Sequence, residues 1–505
     1  MKIINKITVV AAAAMMSALA SRGEVVTYPA GPGVPVTGDY EVFVRQMSAD
    51  GPGELLPVAV YPVKVDKVEG ARHVPQTASM AYFDFSGDVE VLVVPRNLGG
   101  AAVDSVRIRP LSKGIDHRLL GDTINFSLSR PENLSVEVNG DIFHNLHLFA
   151  NGLDSNRPDA RTMKKLARKA AGKPGEAVTM GEWIYFAPGV YHLPGDTMRV
   201  ESGKRVYIDG GARVYGQLIA ADVSDVRFWG RGEVHPEGRG EGIYIRRCRD
   251  VEAEGVIVTQ IPVGGSDGVK IENVKSISSY GWGDGMNVFA SDNVSYDRVF
   301  CRNSDDCSTI YATRKGFAGG CKNIVMENST LWADVAHPIM IGLHGAATEI
   351  GVDAPSDTIR NIVYRNLDIL DQAENQIDYQ GVFGINCGDN NICRDILFDN
   401  IRVEDFRKGM LVTMRITWNK KYCKAPGKSI DNVTFKDIRY DGTGDNLSVI
   451  AGYDENRKIT NVTFDNLVIN GCHIYDNMEG KPKWYKTSDF ANMLILEHVD
   501  NVVFK

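Results

Sequence analysis

The chain has 505 residues, of which 43% are hydrophobic, and a formal net charge of −8 at pH 7. This length is enough for two domains, and the hydrophobic fraction is ordinary for a soluble globular protein. The negative charge and the lack of a long basic run in the sequence give no support for a nucleic-acid partner. After the first 20 residues, no apolar run approaches the roughly 18 residues that a membrane span requires.

The first 20 residues have the pattern of a secretory signal peptide. Lys2 and Lys6 supply a positively charged start, residues 7–19 an apolar core, and Ala18-Leu19-Ala20 a small-residue cleavage site. We therefore predict a signal peptide over residues 1–20 and a secreted or periplasmic protein. The alternative interpretation is an ordinary buried helix.

All eight cysteines lie in the second half of the sequence, between Cys248 and Cys472. Export permits disulfides, and Cys387 and Cys393 are spaced to close a small loop, although pairing cannot be deduced from sequence. No paired Cys-x-x-Cys motif is present. The sequence therefore predicts no zinc site, and we expect neither a metal nor another cofactor.

Residues 21–156 have the pattern of a β-sandwich-like domain. Segments of alternating polarity, such as 40–44 and 89–93, are separated by turn signals that include Pro32-Gly33 and Asn139-Gly140. Short strands with frequent turns are typical of a sandwich. A structural role and carbohydrate binding are both open for this domain.

A linker is predicted over residues 157–182. It contains a basic stretch, residues 161–171, with apolar residues at helical spacing, and this stretch is followed by Gly172 and Pro174, which end helices. We expect a short helix that connects two domains.

From Trp183 onward, a short pattern recurs ten times. Each copy has an Asn or Asp, an apolar residue and then a polar–apolar alternation, and the copies begin at Asp225, Asp250, Asn273, Asn293, Asn323, Asn361, Asp395, Asn432, Asn461 and Asn501. The intervals of roughly 20–40 residues are typical of stacked repeats. Asn and Asp tolerate tight corners and can form hydrogen-bonded ladders when corners stack. The sequence thus predicts an all-β protein, with a right-handed parallel β-helix over residues 183–505 after the sandwich.

Three carboxylates lie close together in the first half of this predicted β-helix. Asp284 lies between two glycines, Asp305 and Asp306 follow Asn303-Ser304, and His337 comes about one further coil along. Coils of a β-helix stack about 4.8 Å apart, so these side chains are expected to meet. Carboxylates gathered in this way can act as acid and base, because repulsion and burial separate their pKa values.

These motifs resemble those of two groups of β-helical glycosidases. One is the polygalacturonase-type glycoside hydrolases of family 28, and the other is the dextranase- and isopullulanase-type enzymes of family 49. The family 28 pattern has an Asn-Thr-Asp, an Asp-Asp, a Gly-His-Gly and an Arg-Ile-Lys, and their counterparts here are Asp284, Asp305-Asp306, His337 and Arg415-Ile416. The chain has Thr417 in place of the last lysine. Family 49 fits better in having a Pro-Ile-Ile run near the His337 position and an N-terminal β-sandwich.

The resemblance assigns roles to these residues. It implies that Asp305 is the general acid and that Asp284 and Asp306 hold and deprotonate a water molecule. His337 would orient the acid or bind the sugar, with a packed structural histidine as the alternative. The expected substrate-binding residues are Arg415, His344 and Trp418.

The leading hypothesis is a secreted, monomeric, inverting glycoside hydrolase that cleaves α-glycosidic bonds in a polysaccharide. Family 28 uses the lysine of its fourth motif to hold an acidic sugar, so Thr417 favours a dextran- or pullulan-like α-glucan over polygalacturonan. Two alternatives stay open. One is a polysaccharide lyase in which the three aspartates bind Ca²⁺, and the other is a non-catalytic β-helix that binds glycans.

Overall fold

The computed structural model describes residues 23–505 except residues 71, 237 and 445. The predicted signal peptide at residues 1–20 lies outside the described residues. No helix in the described part of the chain is long and apolar enough to cross a membrane.

The N-terminal region forms a sandwich of two six-stranded sheets. The first sheet contains Val25–Thr27, Val60–Glu69, Arg72–Phe85, Val106–Arg109, Glu132–Val138 and Asp141–Gly152. The second contains Tyr40–Ser48, Gly51–Pro52, Leu56–Val58, Asp88–Pro95, His117–Leu120 and Thr123–Leu128. Alternate side chains of both sheets, such as Val91, Phe126, Phe83 and Leu148, are buried between them, as the period of two in a strand requires.

An α-helix, Ala160–Ala170, follows the sandwich. Its N-cap residue Asp159 accepts hydrogen bonds from the backbone N–H groups of Arg161 and Thr162. Its buried Leu166 packs with Tyr207 on the outside of the first coils that follow. The other helices are Leu111–Lys113 and Ile377–Tyr379, which are 3₁₀ helices, and Ala346–Glu349 and Thr487–Phe490, which are α-helices.

The rest of the chain is a right-handed parallel β-helix of 30 strands, in which each coil contributes to three faces. Strands on the first face are Trp183–Phe186, Arg205–Ile208, Ser224–Gly230, Arg249–Glu254, Asp267–Glu272, Asp292–Asp297, Cys321–Glu327 and Val499–Phe504. Strands on the second face are Glu233–His235, Ile257–Val258, Lys275–Ile277, Phe300–Asn303 and Thr330–Ala333. Strands on the third face are Ile243–Arg246, Val263–Gly264, Met286–Phe289, Ser308–Tyr311, Ile339–Gly342, Phe383–Cys387, Val412–Ile416, Ser448–Ala451 and Met493–Ile495.

Six longer strands bend around a corner. Gly189–Val200 and Ala212–Ala221 contribute to the second and third faces, and Thr358–Asp371, Ile392–Val403, Ser429–Tyr440 and Ile459–Ile469 contribute to the first and second. Antiparallel strands Val178–Met180 and Cys472–Ile474 flank the two ends. The predicted fold class, a β-helix preceded by a β-sandwich, is thus confirmed.

The recurring Asn and Asp residues occupy corners. All ten have a left-handed backbone, with φ between 51° and 60°, which Asn and Asp adopt more readily than other non-glycine residues. Their side chains form ladders from coil to coil: Asn323 donates to Asn293 at 2.8 Å, and Asn361 donates to Asn323 at 3.1 Å. Asn273 differs from the other nine because it precedes a second-face strand. In that coil, the corner before the first-face strand is occupied by Gly268, which has a φ of 72°.

The sandwich packs against the second face of the β-helix. Outward-facing Ile277 and Phe300 join a hydrophobic cluster with Tyr61 and Phe149 of the sandwich. Buried Arg302 binds Asn145 of the sandwich at 2.9 Å and Asp334 of the β-helix at 2.8 Å. A fully buried guanidinium is costly unless it is paired in this way, so these contacts fix the sandwich beside the third-face cleft described below.

The predicted loop closure by Cys387 and Cys393 is not present. All eight cysteines are free, and both of these are buried. Hydrogen bonding to Cys387, with burial, raises the pKa of Cys393 well above its usual range. Both thiols point into the core of the β-helix, where they pack as small apolar groups.

Candidate active site

Four successive turns join the second face to the third at the site, and the first three carry the predicted catalytic groups. These turns are residues 278–285, 304–307, 334–338 and 372–382. The coils are in register there, since Gly285 N–H donates to the Asp306 carbonyl at 2.9 Å and Cys307 N–H donates to the His337 carbonyl at 2.8 Å. Asp284, Asp306 and His337 therefore lie on three neighbouring coils, which stack about 4.8 Å apart.

Asp305 and Asp306 share one cleft because the strand ends before them. The second-face strand ends at Asn303 and the third-face strand begins at Ser308. Strand alternation, which would send adjacent side chains to opposite faces, does not apply within this turn. Both carboxyl groups line the cleft, and Asp306 N–H donates to Asp305 Oδ1 at 3.0 Å.

The glycines on either side of Asp284 are required by close packing. A β-carbon on Gly283 would lie 2.3 Å from Ser304 Oγ, and one on Gly285 would lie 2.5 Å from Asn303 Oδ1. Neither position has space for a side chain. These glycines let the turn that carries Asp284 lie directly against the turn that carries Asp305 and Asp306.

Asp306 is the most firmly held carboxylate of the site. Its Oδ1 accepts hydrogen bonds from His337 N–H at 3.1 Å and from His337 Nδ1 at 2.8 Å. Its Oδ2 accepts from the hydroxyl groups of Tyr311 at 3.2 Å and Tyr379 at 3.4 Å. Four donors thus converge on one carboxyl group, so the orientation of Asp306 in the cleft is fixed.

Asp284 and Asp305 are in the opposite situation. Burial, and then the charge of Asp306, raises the pKa of Asp284 to about 7, although Asn287 donates to its Oδ2 at 2.8 Å. Burial, and then the charges of Asp284 and Asp306, raises the pKa of Asp305 well above its usual range. Burial and neighbouring charge therefore favour the protonated form of Asp305, as a general acid requires.

His337 is a positioning group in this arrangement. It is fully buried, its ring lies 4.3 Å from that of Tyr379 in an edge-to-face contact, and both of its donors named above serve Asp306. His344 lines the cleft and packs edge-to-face on Tyr311 at 4.8 Å. Burial, with the nearby Arg314, lowers the pKa of His344 to about 3, so its ring is neutral.

A fourth carboxyl group, Glu374, was missed by the sequence reasoning. It lies in the turn 372–382, lines the cleft and is 4% exposed. Its pKa is raised by burial and, less strongly, by Asp306. The spacing of the other motifs gave no signal for it, because its turn, 372–382, is longer than the turns 304–307 and 334–338 before it.

Two predicted substrate-binding residues do not join the site. Arg415 and Trp418 are not among the described residues that line the cleft. Arg415 lies on the strand Val412–Ile416, two coils beyond the strand that follows His337, about 10 Å along the axis. Trp418 is exposed, with Lys420 Nζ 5.2 Å from its ring.

The cleft lies over the third face and has a volume of about 780 Å³. Its aromatic lining includes Phe289, Tyr379, Tyr422 and the highly exposed Trp282. Trp282 was not among the predicted substrate-binding residues. Apolar rings beside carboxyl groups are suited to bind sugars, which have both apolar faces and hydroxyl groups.

The sandwich also contributes to the cleft. The strands Val60–Glu69 and Arg72–Phe85 pair to form a hairpin, called here the sandwich hairpin. Val68, Gly70 and His73 from this hairpin line the cleft together with the turns of the β-helix. The candidate site is thus built from both domains.

Comparisons with known proteins agree with this architecture. No protein-family model and no curated protein sequence matches the chain. The fold is similar to that of Dex49A from Penicillium minioluteum, with a TM-score of 0.62, 14% identity, and coverage of 95% of this chain and 96% of that one. Looser similarities are to the family 28 exopolygalacturonase of Yersinia enterocolitica (TM-score 0.46, 12% identity, 82% and 96% coverage) and the adhesin PfbA of Streptococcus pneumoniae (TM-score 0.40, 15% identity, 69% and 89% coverage).

The likeness to β-helical glycosidases that the motifs implied is thereby confirmed for the fold. An identity of 14% establishes a shared fold and no more. A shared fold does not imply a shared function, which depends on the geometry and chemistry of the site.

Proposed function

We propose that the protein is a secreted or periplasmic glycoside hydrolase that cleaves α-glycosidic bonds in a polysaccharide with inversion of configuration. The observation that carries this proposal is the group of three aspartates on neighbouring turns, in which Asp305, with its raised pKa, lies beside the firmly held Asp306. Cleavage of a glycosidic bond requires such an acid and a base in one cleft. A monomeric state stays a prediction.

In the proposed mechanism, Asp305 donates its proton to the glycosidic oxygen as the bond to the anomeric carbon breaks. Asp284 and Asp306 hold a water molecule on the other side of the sugar ring and accept its proton as its oxygen bonds to that carbon. His337, Tyr311 and Tyr379 keep Asp306 in place through the hydrogen bonds described above. The leaving sugar keeps the proton from Asp305. Before the next cycle, the base releases the proton that it took from water, and Asp305 takes up a proton.

The charges around the cleft favour a neutral sugar at the cleavage position. Four carboxyl groups lie there, and two cations of the cleft have acidic partners: Arg314 with Glu349 at 3.4 Å and Lys315 with Glu241 at 3.5 Å. The third, Arg239, lies against the ring of Trp282. Thr417, which follows Arg415 and Ile416, is not among the described residues that line the cleft. A neutral α-glucan is therefore proposed on the charge of the cleft.

The stereochemistry of the product tests the mechanism. Digestion of dextran or pullulan followed by ¹H NMR at early times should show product with the β-anomeric configuration, since water attacks the face opposite the leaving group. Appearance of the α-anomer first would mean that a carboxylate attacks the sugar directly. A product with ultraviolet absorbance from an unsaturated sugar would instead identify a lyase.

Substrate charge is a second expected result. Dextran or pullulan should be cleaved at least about tenfold faster than polygalacturonate, because a uronate buried without a free cation costs about 1–3 kcal/mol. Reducing-end assays on matched concentrations of the three polymers measure this directly. A tenfold preference for polygalacturonate would contradict it. If polymer length does not change with any glycan after prolonged incubation, while binding is retained, the protein is a glycan-binding β-helix.

A further inference from the structure

The sandwich hairpin is attached to two of the turns that carry the site. The N–H of Asp66 donates to Asp334 Oδ2 at 3.3 Å, and the carbonyl of Gly70 accepts from Asn375 Nδ2 at 3.2 Å. Asp334 belongs to the turn of His337, and Asn375 is adjacent to Glu374. These contacts hold the hairpin as one wall of the cleft, although none of its residues takes part in the proposed acid–base chemistry.

His73 is the hairpin residue best placed to contact a ligand. Its Nδ1 pairs with the Oδ2 atom of Asp66, whose side chain is fully buried, whereas the His73 side chain is 39% exposed. When Asp66 is ionised, this bond keeps the proton on Nδ1 and leaves Nε2 as an acceptor. A β-carbon on Gly281 would lie 3.4 Å from His73 Nε2 and 3.9 Å from a guanidinium nitrogen of Arg239.

The neighbouring Trp282 supplies an apolar ring at the same place. Its side chain is 76% exposed, and the guanidinium of Arg239 lies 5.3 Å from the ring centre. Contact between an arginine and an indole ring is favourable and limits the ring's freedom. Trp282 lies two residues before Asp284, so this group of residues adjoins the cleavage position.

We propose that His73, Arg239 and Trp282 form a sugar-binding subsite, for which the sandwich domain supplies the histidine. The ligand is a neutral pyranose unit of the substrate chain, with its ring against Trp282 and one hydroxyl group donating to His73 Nε2. This inference rests on the proposed function and deepens it, because it makes the sandwich part of substrate recognition. His73 acts here in binding and Asp66 as its positioning residue.

The chain offers a matched control for His73. His144 of the same sandwich also pairs through Nδ1 with an aspartate, Asp141 Oδ2, at 2.8 Å. Its side chain is 47% exposed, and it is not among the described residues that line the cleft. His144→Ala therefore removes a His–Asp pair that lies outside the cleft. His73→Ala removes a His–Asp pair and the proposed subsite together.

The experiment compares wild type, His73→Ala, His73→Gln, Trp282→Ala and His144→Ala on dextran, pullulan and polygalacturonate. We expect His73→Ala and Trp282→Ala to raise KM, and the Kd from calorimetry with the glycan that wild type binds best, about five- to tenfold. The kcat should stay within about twofold. His73→Gln, which keeps a polar group, should recover part of the loss, and His144→Ala should match wild type.

Unchanged KM and Kd in both His73→Ala and Trp282→Ala would overturn the subsite. An equal effect of His144→Ala would also overturn it, because the change would then report on the sandwich as a whole. Binding by wild type without hydrolysis would overturn the proposed function only, and the comparison of Kd values would still decide the subsite. Absence of binding to all three glycans would overturn both. Because Trp282 is exposed, Trp282→Ala keeps the test valid if His73→Ala does not fold.

Discussion

Asp305→Asn is expected to lower kcat on an α-glucan by at least about 100-fold and to spare an activated aryl glycoside in part. The amide cannot donate a proton to the leaving oxygen, and general acid assistance is commonly worth about 10²–10⁴-fold. A nitrophenolate leaves without such help, so its release should fall much less if the cleft accepts this substrate. Reducing-end and chromogenic assays on the same preparation measure both losses.

The raised pKa of Asp305 gives this prediction a pH counterpart. Its protonated form is the active one, so the rate on the glucan should decline as pH rises through its pKa. Exposed Asp353, outside the cleft, provides the matched control Asp353→Asn. Equal losses of Asp305→Asn on the glucan and on the aryl glycoside would mean that Asp305 is not the acid.

Asp306→Asn and Asp284→Asn are expected to lower kcat by at least about 100-fold on every substrate, including the aryl glycoside. Water activation is needed whatever the leaving group is, so a good leaving group cannot restore the rate. Asp306→Asn should be the more severe change, because its amide cannot accept all the hydrogen bonds that His337, Tyr311 and Tyr379 now donate. The kcat values of both variants on the α-glucan and on the aryl glycoside test this prediction.

Folding must be separated from chemistry in these variants. Circular dichroism and thermal unfolding should show the wild-type spectrum for Asp284→Asn, whose side chain has one protein donor, Asn287. A partial recovery of either variant by added azide, with a glycosyl azide of inverted configuration, would support the loss of a base. Recovery of the rate on the aryl glycoside alone would instead assign that aspartate to the acid role.

Much of the fold was predictable because the β-helix repeats its corner chemistry. Each corner needs a residue that tolerates positive φ and can bond to the coil below, and Asn or Asp satisfies both needs. Ten such residues were therefore visible in the sequence. The grouping of Asp284, Asp305, Asp306 and His337 followed from the same periodicity, since coil spacing places them together.

The remaining site residues depend on features that periodicity does not report. Arg415 was assigned by motif, but it lies two coils beyond the strand that follows His337. The number of coils between two residues cannot be read from the sequence where the turns vary in length. Glu374 lies in a long turn, and His73 reaches the cleft from the other domain. Such contacts between distant segments arise from tertiary packing and had no local pattern.

The turns that carry the site differ in length, while the strands before and after them stay in register. The turn at 304–307 is short and the one at 372–382 is long, yet both join strands that stack in the same ladders. In a stacked repeat, each coil depends mainly on its neighbours, and additions to a turn leave the ladder intact. An insertion or deletion at one corner can therefore reshape the cleft while the ladders of the β-helix are kept.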